Sequence, residues 1–195
     1  MLIYDCEIKK AIIQKNEPPI HGIEYCGGWR DFENMGISCI GAYDYLTDRY
    51  RVFCDDNFKE FQALVDNHHT IIGFNSNSFD SPLCEANGII IPGEKSYDIL
   101  VEVWRGAGLG ENFAYPSHSG FGLDAICEAN FGLKKSGHGA LAPVQWQRGE
   151  IGAVIDYCLN DIKITKRLLD HIDAHGEIKC PKTSRTLQIQ RPPIL

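Results

Sequence analysis

The chain opens on an apolar run from Leu2 to Ile8 that is interrupted by two carboxylates, Asp5 and Glu7. A run this apolar predicts a strand inside a sheet. Side chains alternate along a strand, so Asp5 and Glu7 leave it on the same face. From Lys9 to Arg30 periodicity is lost, and Pro18-Pro19 and Gly27-Gly28 punctuate a long loop or insertion. Gly36 to Tyr45 and Arg49 to Cys54 are β-rich runs joined by a short turn, a hairpin that continues antiparallel from the first strand. Asn57 is expected to cap a helix carrying Phe58, Phe61, Leu64 and Val65 at helical spacing, with Glu60 as its third residue. Thr70 to Asn75 predicts a short buried strand, followed by a helix through Leu83 and Cys84 that ends at Gly88. Tyr97 to Trp104 reads as a strand running into a helix, and Gly106 to Gly122 as a glycine-rich connection expected to be mobile. Leu123 to Phe131 predicts a helix stopped by Gly132, and Lys134 to Gly139 a basic loop. Glu150 to Ile172 is the longest helical pattern, its apolar face running from Ile151 and Val154 to Leu168 and Leu169. Three antiparallel strands followed by strands that alternate with helices predict an α/β fold of mixed α+β character around a mixed sheet.

Length and composition narrow this picture. A chain of 195 residues holds one domain with a sizeable core, here expected over 1–175, followed by a basic tail over 176–195. After Glu177 come Lys179, Lys182, Arg185 and Arg191 and no acid. The tail shows no packing signal and is expected to be flexible or to add a strand to something else. No apolar run approaches the roughly 20 residues of a membrane helix, and the start lacks a signal-peptide pattern. Eight cysteines are scattered singly without a Cys-x-x-Cys pair, which points to reduced, mostly buried thiols in a cytoplasmic protein. The formal net charge of -7 argues against binding nucleic acid by bulk electrostatics. A nuclease stays open, because cations bound to a carboxylate cluster reverse the local sign.

The candidate chemistry begins with Asp5 and Glu7. Two carboxylates side by side on a buried strand repel each other unless a cation lies between them, whereas an edge strand with a wet face would leave them merely solvated. Three further features bear on that choice. Asp80 follows Asn75-Ser-Asn-Ser-Phe where a strand ends and a helix begins, a place that also suits a helix cap. Tyr157 and Asp161 are four residues apart on the longest helix and share a face, and only this spacing selects Asp161 over Asp156. The third is their order along the chain.

With these motifs the chain resembles the DEDD superfamily of 3′→5′ exonucleases on a ribonuclease H-like fold, in the tyrosine-bearing DEDDy subgroup that includes polymerase proofreading domains. The resemblance spans Leu2 to Leu169 without the inserted loop, and Lys134-Lys135, His138 between glycines, Trp146 and Tyr157-Cys158 look like standalone phage or helicase-associated members. It implies a five-stranded mixed sheet with helices on both faces and two divalent metal ions, Mg²⁺ or Mn²⁺. By that resemblance Asp5 bridges both metals, and Glu7 and Asp161 complete the site of the nucleophile's metal. Asp80 then holds the second metal, and Tyr157 positions the attacking water. The implied reaction is hydrolysis at the 3′ end of single-stranded DNA, with RNA close behind, releasing nucleoside monophosphates. Implied partners are such ends and a polymerase, helicase or other replication or repair protein, with no membrane. The rivals are a non-catalytic module that binds nucleic-acid ends or a partner, and a structure-selective endonuclease.

Substrate contacts are expected from Asn75, which could otherwise simply close its turn, and from Phe79, a stacking wedge or a core residue. Lys134, Lys135 and Arg148 are expected to track phosphates or to form a solvated surface, and His138 to be at most a phosphate contact. The Lys9 to Arg30 insertion directly follows the carboxylate strand and is expected to cover the site, gate it or bind a partner.

Overall fold

The alternating residues of the first strand are buried on both sides, so helices must cover both. In the computed structural model, which describes residues 1–14, 17–133 and 139–193, they do. The strands are β1 (Leu2–Ile8), β2 (Ala11–Ile12), β3 (Tyr25–Cys26), β4 (Ile37–Asp44), β5 (Arg49–Phe53), β6 (Ile71–Gly73), β7 (Ser96–Asp98), β8 (Glu177–Lys179) and β9 (Thr186–Gln188). The α-helices are α1 (Phe32–Met35), α2 (Phe58–Asn67), α3 (Asp80–Ala86), α4 (Ile99–Gly106), α5 (Leu123–Phe131), α6 (Ala142–Gln147) and α7 (Ile151–His175). The main sheet has the order β5-β4-β1-β6-β7, with β5, β4 and β1 antiparallel and β6 and β7 parallel to β1. This is the mixed α/β arrangement expected of a ribonuclease H-like fold.

Leu2, Tyr4 and Cys6 face Met35 of α1, Phe61 and Val65 of α2, and Leu83 and Cys84 of α3. Ile3 packs on the other side with Val103 of α4, Ile126 of α5, and Ile162, Leu168 and Leu169 of α7. Asp5 and Glu7 therefore leave β1 on the side covered by α7. Two details open that side. Strand β6 pairs with β1 only at Leu2 and Ile3, whereas β4 follows β1 as far as Ile8, so one edge of β1 is uncovered beyond Ile3. Opposite Asp5 lies Gly41, where a Cβ would come within 2.8 Å of Cys158 Sγ and 3.1 Å of Ile162 Cγ1. Glycine here lets α7 rest on the backbone of β4, bringing its polar residues to β1.

Several expectations need correction. Asn57 stands at the start of α2 but does not cap it; its side chain accepts from Cys54 N at 2.7 Å and closes the turn after β5 instead. The insertion is not plain loop, since β2 and β3 pair in parallel and the Gln147 amide clips it to α6, accepting from Glu24 N at 2.7 Å and donating to Lys9 O at 2.9 Å. The Gly106–Gly122 connection is likewise organised, with His118 buried and its ring bonded to Gly110 O at 2.9 Å and Ala114 O at 3.2 Å. The C-terminal segment is no free tail. Strands β8 and β9 form a hairpin whose Ile178, Cys180, Leu187 and Ile189 enter the main core, while Gln190 O accepts from Tyr97 Oη at 2.5 Å and Pro193 O from Thr70 Oγ1 at 2.9 Å. Along both strands polar residues alternate with apolar ones, so Glu177, Lys179, Thr186 and Gln188 face water while Ile178 and Leu187 dock. All eight cysteines are free, and all but Cys54 are buried.

Burying an apolar side chain is worth about 1.5–3 kcal/mol. Truncation before Glu177 is therefore expected to destabilise the protein by several kcal/mol, seen as a marked fall in melting temperature by circular dichroism; an unchanged melting point would contradict this docking.

Candidate active site

The uncovered stretch of β1 forms the floor of a cleft of about 390 Å³. Asp5 and Glu7 line it from the strand, Asp80 from the first residue of α3, and Tyr157 and Asp161 from one face of α7, together with Asn75 and Phe79. Glu7, Asp80 and Asp161 are each at most 8% exposed, and Asp5 is half-buried. Carboxylates are seldom buried to this degree without compensation. Asp156, the alternative on α7, is exposed.

Asp80 closes the gap left by β6. Cys6 N of β1 donates to its Oδ1 at 2.9 Å, and next to it Tyr4 Oη and Ser81 Oγ lie 2.8 Å apart. Burial pushes the Asp80 carboxyl up to about 7, with the nearby Asp98 charge adding to the rise and the Cys6 N–H opposing it. Asp98 was not singled out from the sequence. It ends β7, is 3% exposed, and accepts from Asn75 N and Leu100 N at 2.9 Å and from Asn77 N at 3.0 Å. One carboxylate thus caps α4 and holds the turn that carries Asn75, whose φ of 63° lies in the left-handed region that Asn tolerates. An aspartate between a strand and an apolar helical run was the available signal.

A second residue missed by sequence reading is Cys158. Its Sγ lies 3.6 Å from Asp5 O and 3.9 Å from Asp5 Oδ2, and one ligand atom each of Asp5, Glu7 and Cys158 lie within 4.8 Å of one another. The insertion brings Ile12, Gln14 and Trp29 to the cleft, and α6 brings Pro143. Gly139 completes the wall, where a Cβ would meet Tyr157 Oη at 3.2 Å. Phe79 sits edge-on between Trp29 and Phe32, with ring centroids 6.0 and 5.9 Å away. Arg148, expected to track phosphates or to lie on a solvated surface, is exposed at the end of α6 and does not line the cleft. Lys134, Lys135 and His138 lie outside the described residues.

The donor set suits hard divalent cations, because it is dominated by carboxylate oxygens whose mutual repulsion a cation relieves. No protein-family model and no curated protein matches the chain. Among solved structures the fold is similar to that of the family B DNA polymerase from the hyperthermophilic archaeon Pyrobaculum calidifontis, with a TM-score of 0.60 and 17% identity over 88% of this chain. The chain spans 24% of that polymerase's length, and the likeness is one of fold.

The raised Asp80 carboxyl has a consequence for stability. Protonated, it favours the folded state, and this contribution is lost as pH rises through about 7, so the metal-free protein is weakened at alkaline pH. In EDTA, Asp80→Asn is expected to be more stable than wild type at pH 8, by on the order of 2–4 kcal/mol, and similar to it near pH 4. Thermal melts at the two pH values measure this, and a wild type that stays the more stable at pH 8 would refute it.

Proposed function

We propose that this protein is a metal-dependent 3′→5′ exonuclease of the tyrosine-bearing DEDD type. It removes nucleoside monophosphates from single-stranded nucleic acid, with DNA preferred to RNA. The observation that carries this reading is the convergence of Asp5, Glu7, Asp80 and Asp161, from three separate elements, with Tyr157 in one cleft. The fold likeness to a DNA polymerase supports nucleic acid as the substrate class.

In this reading Asp5, Glu7, Asp80 and Asp161 hold two divalent cations, Mg²⁺ or Mn²⁺. Such cations, when bound, supply the charge that stabilises the attacking and leaving oxygens of an in-line displacement at phosphorus. The protein supplies the rest. Tyr157 orients the attacking water through its hydroxyl, against which Gly139 presents no side chain. Asn75, held by Asp98, contacts the terminal nucleotide, and Phe79 lies against its base. The bond broken is that between phosphorus and the 3′ oxygen of the penultimate sugar, which leaves as the new 3′ hydroxyl. The reading also places the protein in the cytoplasm beside a polymerase, helicase or repair partner.

The test uses 5′-labelled single-stranded DNA and its RNA counterpart with Mg²⁺, Mn²⁺ or EDTA. The expected result is a ladder shortening from the 3′ end, abolished by EDTA and slowed at least about a hundredfold by Asp161→Ala. Cutting of a circular single strand would indicate an endonuclease instead, and a gel shift without cleavage would indicate a binding module.

A further inference from the structure

A second cleft, of about 720 Å³, joins the first and shares Asp5, Trp29, Phe74, Asn75, Phe79 and Asp161 with it. Two aromatic groups line it. One is Trp29 against Phe79; the other is Phe113, with ring centroids 6.3 Å from Trp104 and 6.1 Å from His118. Trp29 and Phe113 are each 62% exposed, although both belong to segments held by specific bonds. Gly27 N donates to Asp31 Oδ2 at 2.6 Å and Asp31 N to Gly28 O at 3.1 Å, fixing the turn that carries Trp29. His118 ties together the 110–118 segment that carries Phe113. Large aromatic faces held open beside a polar cleft call for a flat ligand.

The cleft says what kind. Its inner end opens on the carboxylates, and Arg30 lines it next to Trp29, so the ligand carries aromatic faces on a backbone that is anionic. Stacking on side chains requires bases whose faces are free, which excludes a paired duplex. Resting on the exonuclease reading above, we propose that Trp29 and Phe113 are stacking surfaces for unpaired nucleobases upstream of the nucleotide being removed. The insertion after β1 thereby makes the protein selective for single strands.

Tryptophan fluorescence tests this, because Trp29 is the exposed indole while Trp104 is 3% exposed and Trp146 half-buried. Titration with oligo(dT) in Ca²⁺ is expected to quench wild-type emission. Trp29→Ala and Trp29→Leu should bind about tenfold more weakly or worse, as should Phe113→Ala, at unchanged melting temperature. Trp29→Phe should keep its affinity, measured by anisotropy of labelled oligonucleotide, and lose most of the quench. Unquenched wild type, an unaffected Trp29→Ala, or a Trp29→Phe as weak as Trp29→Ala would each overturn the inference. The parent reading fails separately: binding through Trp29 by a wild type that leaves 3′ ends intact in Mg²⁺ would sink the exonuclease and leave the stacking site standing.

Discussion

Like charge gathered at an opening in a sheet is the constraint on which the rest depends. Strand β1 carries Asp5 and Glu7 toward α7, and α3 and α7 add Asp80 and Asp161 to the same cleft. Carboxylates gathered and buried in this way repel one another unless hydrogen bonds or cations compensate. Part of the compensation is built in, since Cys6 N of β1 bonds Asp80 where β6 has turned away. The same departure of β6 creates both the charge problem and the cleft above it.

Other features hold this arrangement. Gly41 removes the side chain that would keep α7 from β4, and so sets the height of Tyr157 and Asp161 above β1. Asp98 spends its carboxylate on the turn after β6, which presents Asn75 at the mouth of the cleft. The insertion, clipped by Gln147, adds Trp29 to the aromatic lining of both clefts.

How much of this could be read from the chain follows from how local each cause is. The first strand, the hairpin of β4 and β5, and helices α2 and α7 announce themselves because their periodicity runs over enough residues to be distinctive. The mixed sheet follows from their order. Helices α1 and α6 and strands β2, β3, β8 and β9 are six residues or fewer, too short for a period to show, and are stabilised by distant partners. Glu24 and Gln147, 123 residues apart, illustrate this. The site divides in the same way. Asp5, Glu7, Tyr157 and Asp161 were legible because alternation on a strand and spacing of four on a helix are local geometry. Trp29, Asp98 and Cys158 were not, because what distinguishes them is the neighbour that folding brings. For Arg148 the chain left phosphate tracking and a solvated surface both open, and the structure places it on an exposed helix end outside the cleft.

On the proposed reading, the four carboxylates together hold two divalent cations and depend on Asp5 to do so. Titration with Mn²⁺ followed by electron paramagnetic resonance, which reports free ion, tests it most directly. The account predicts about two Mn²⁺ bound per wild-type chain, with binding lost in Asp5→Asn. Wild-type protein that takes up no Mn²⁺, or an Asp5→Asn variant that binds as the wild type does, would contradict it.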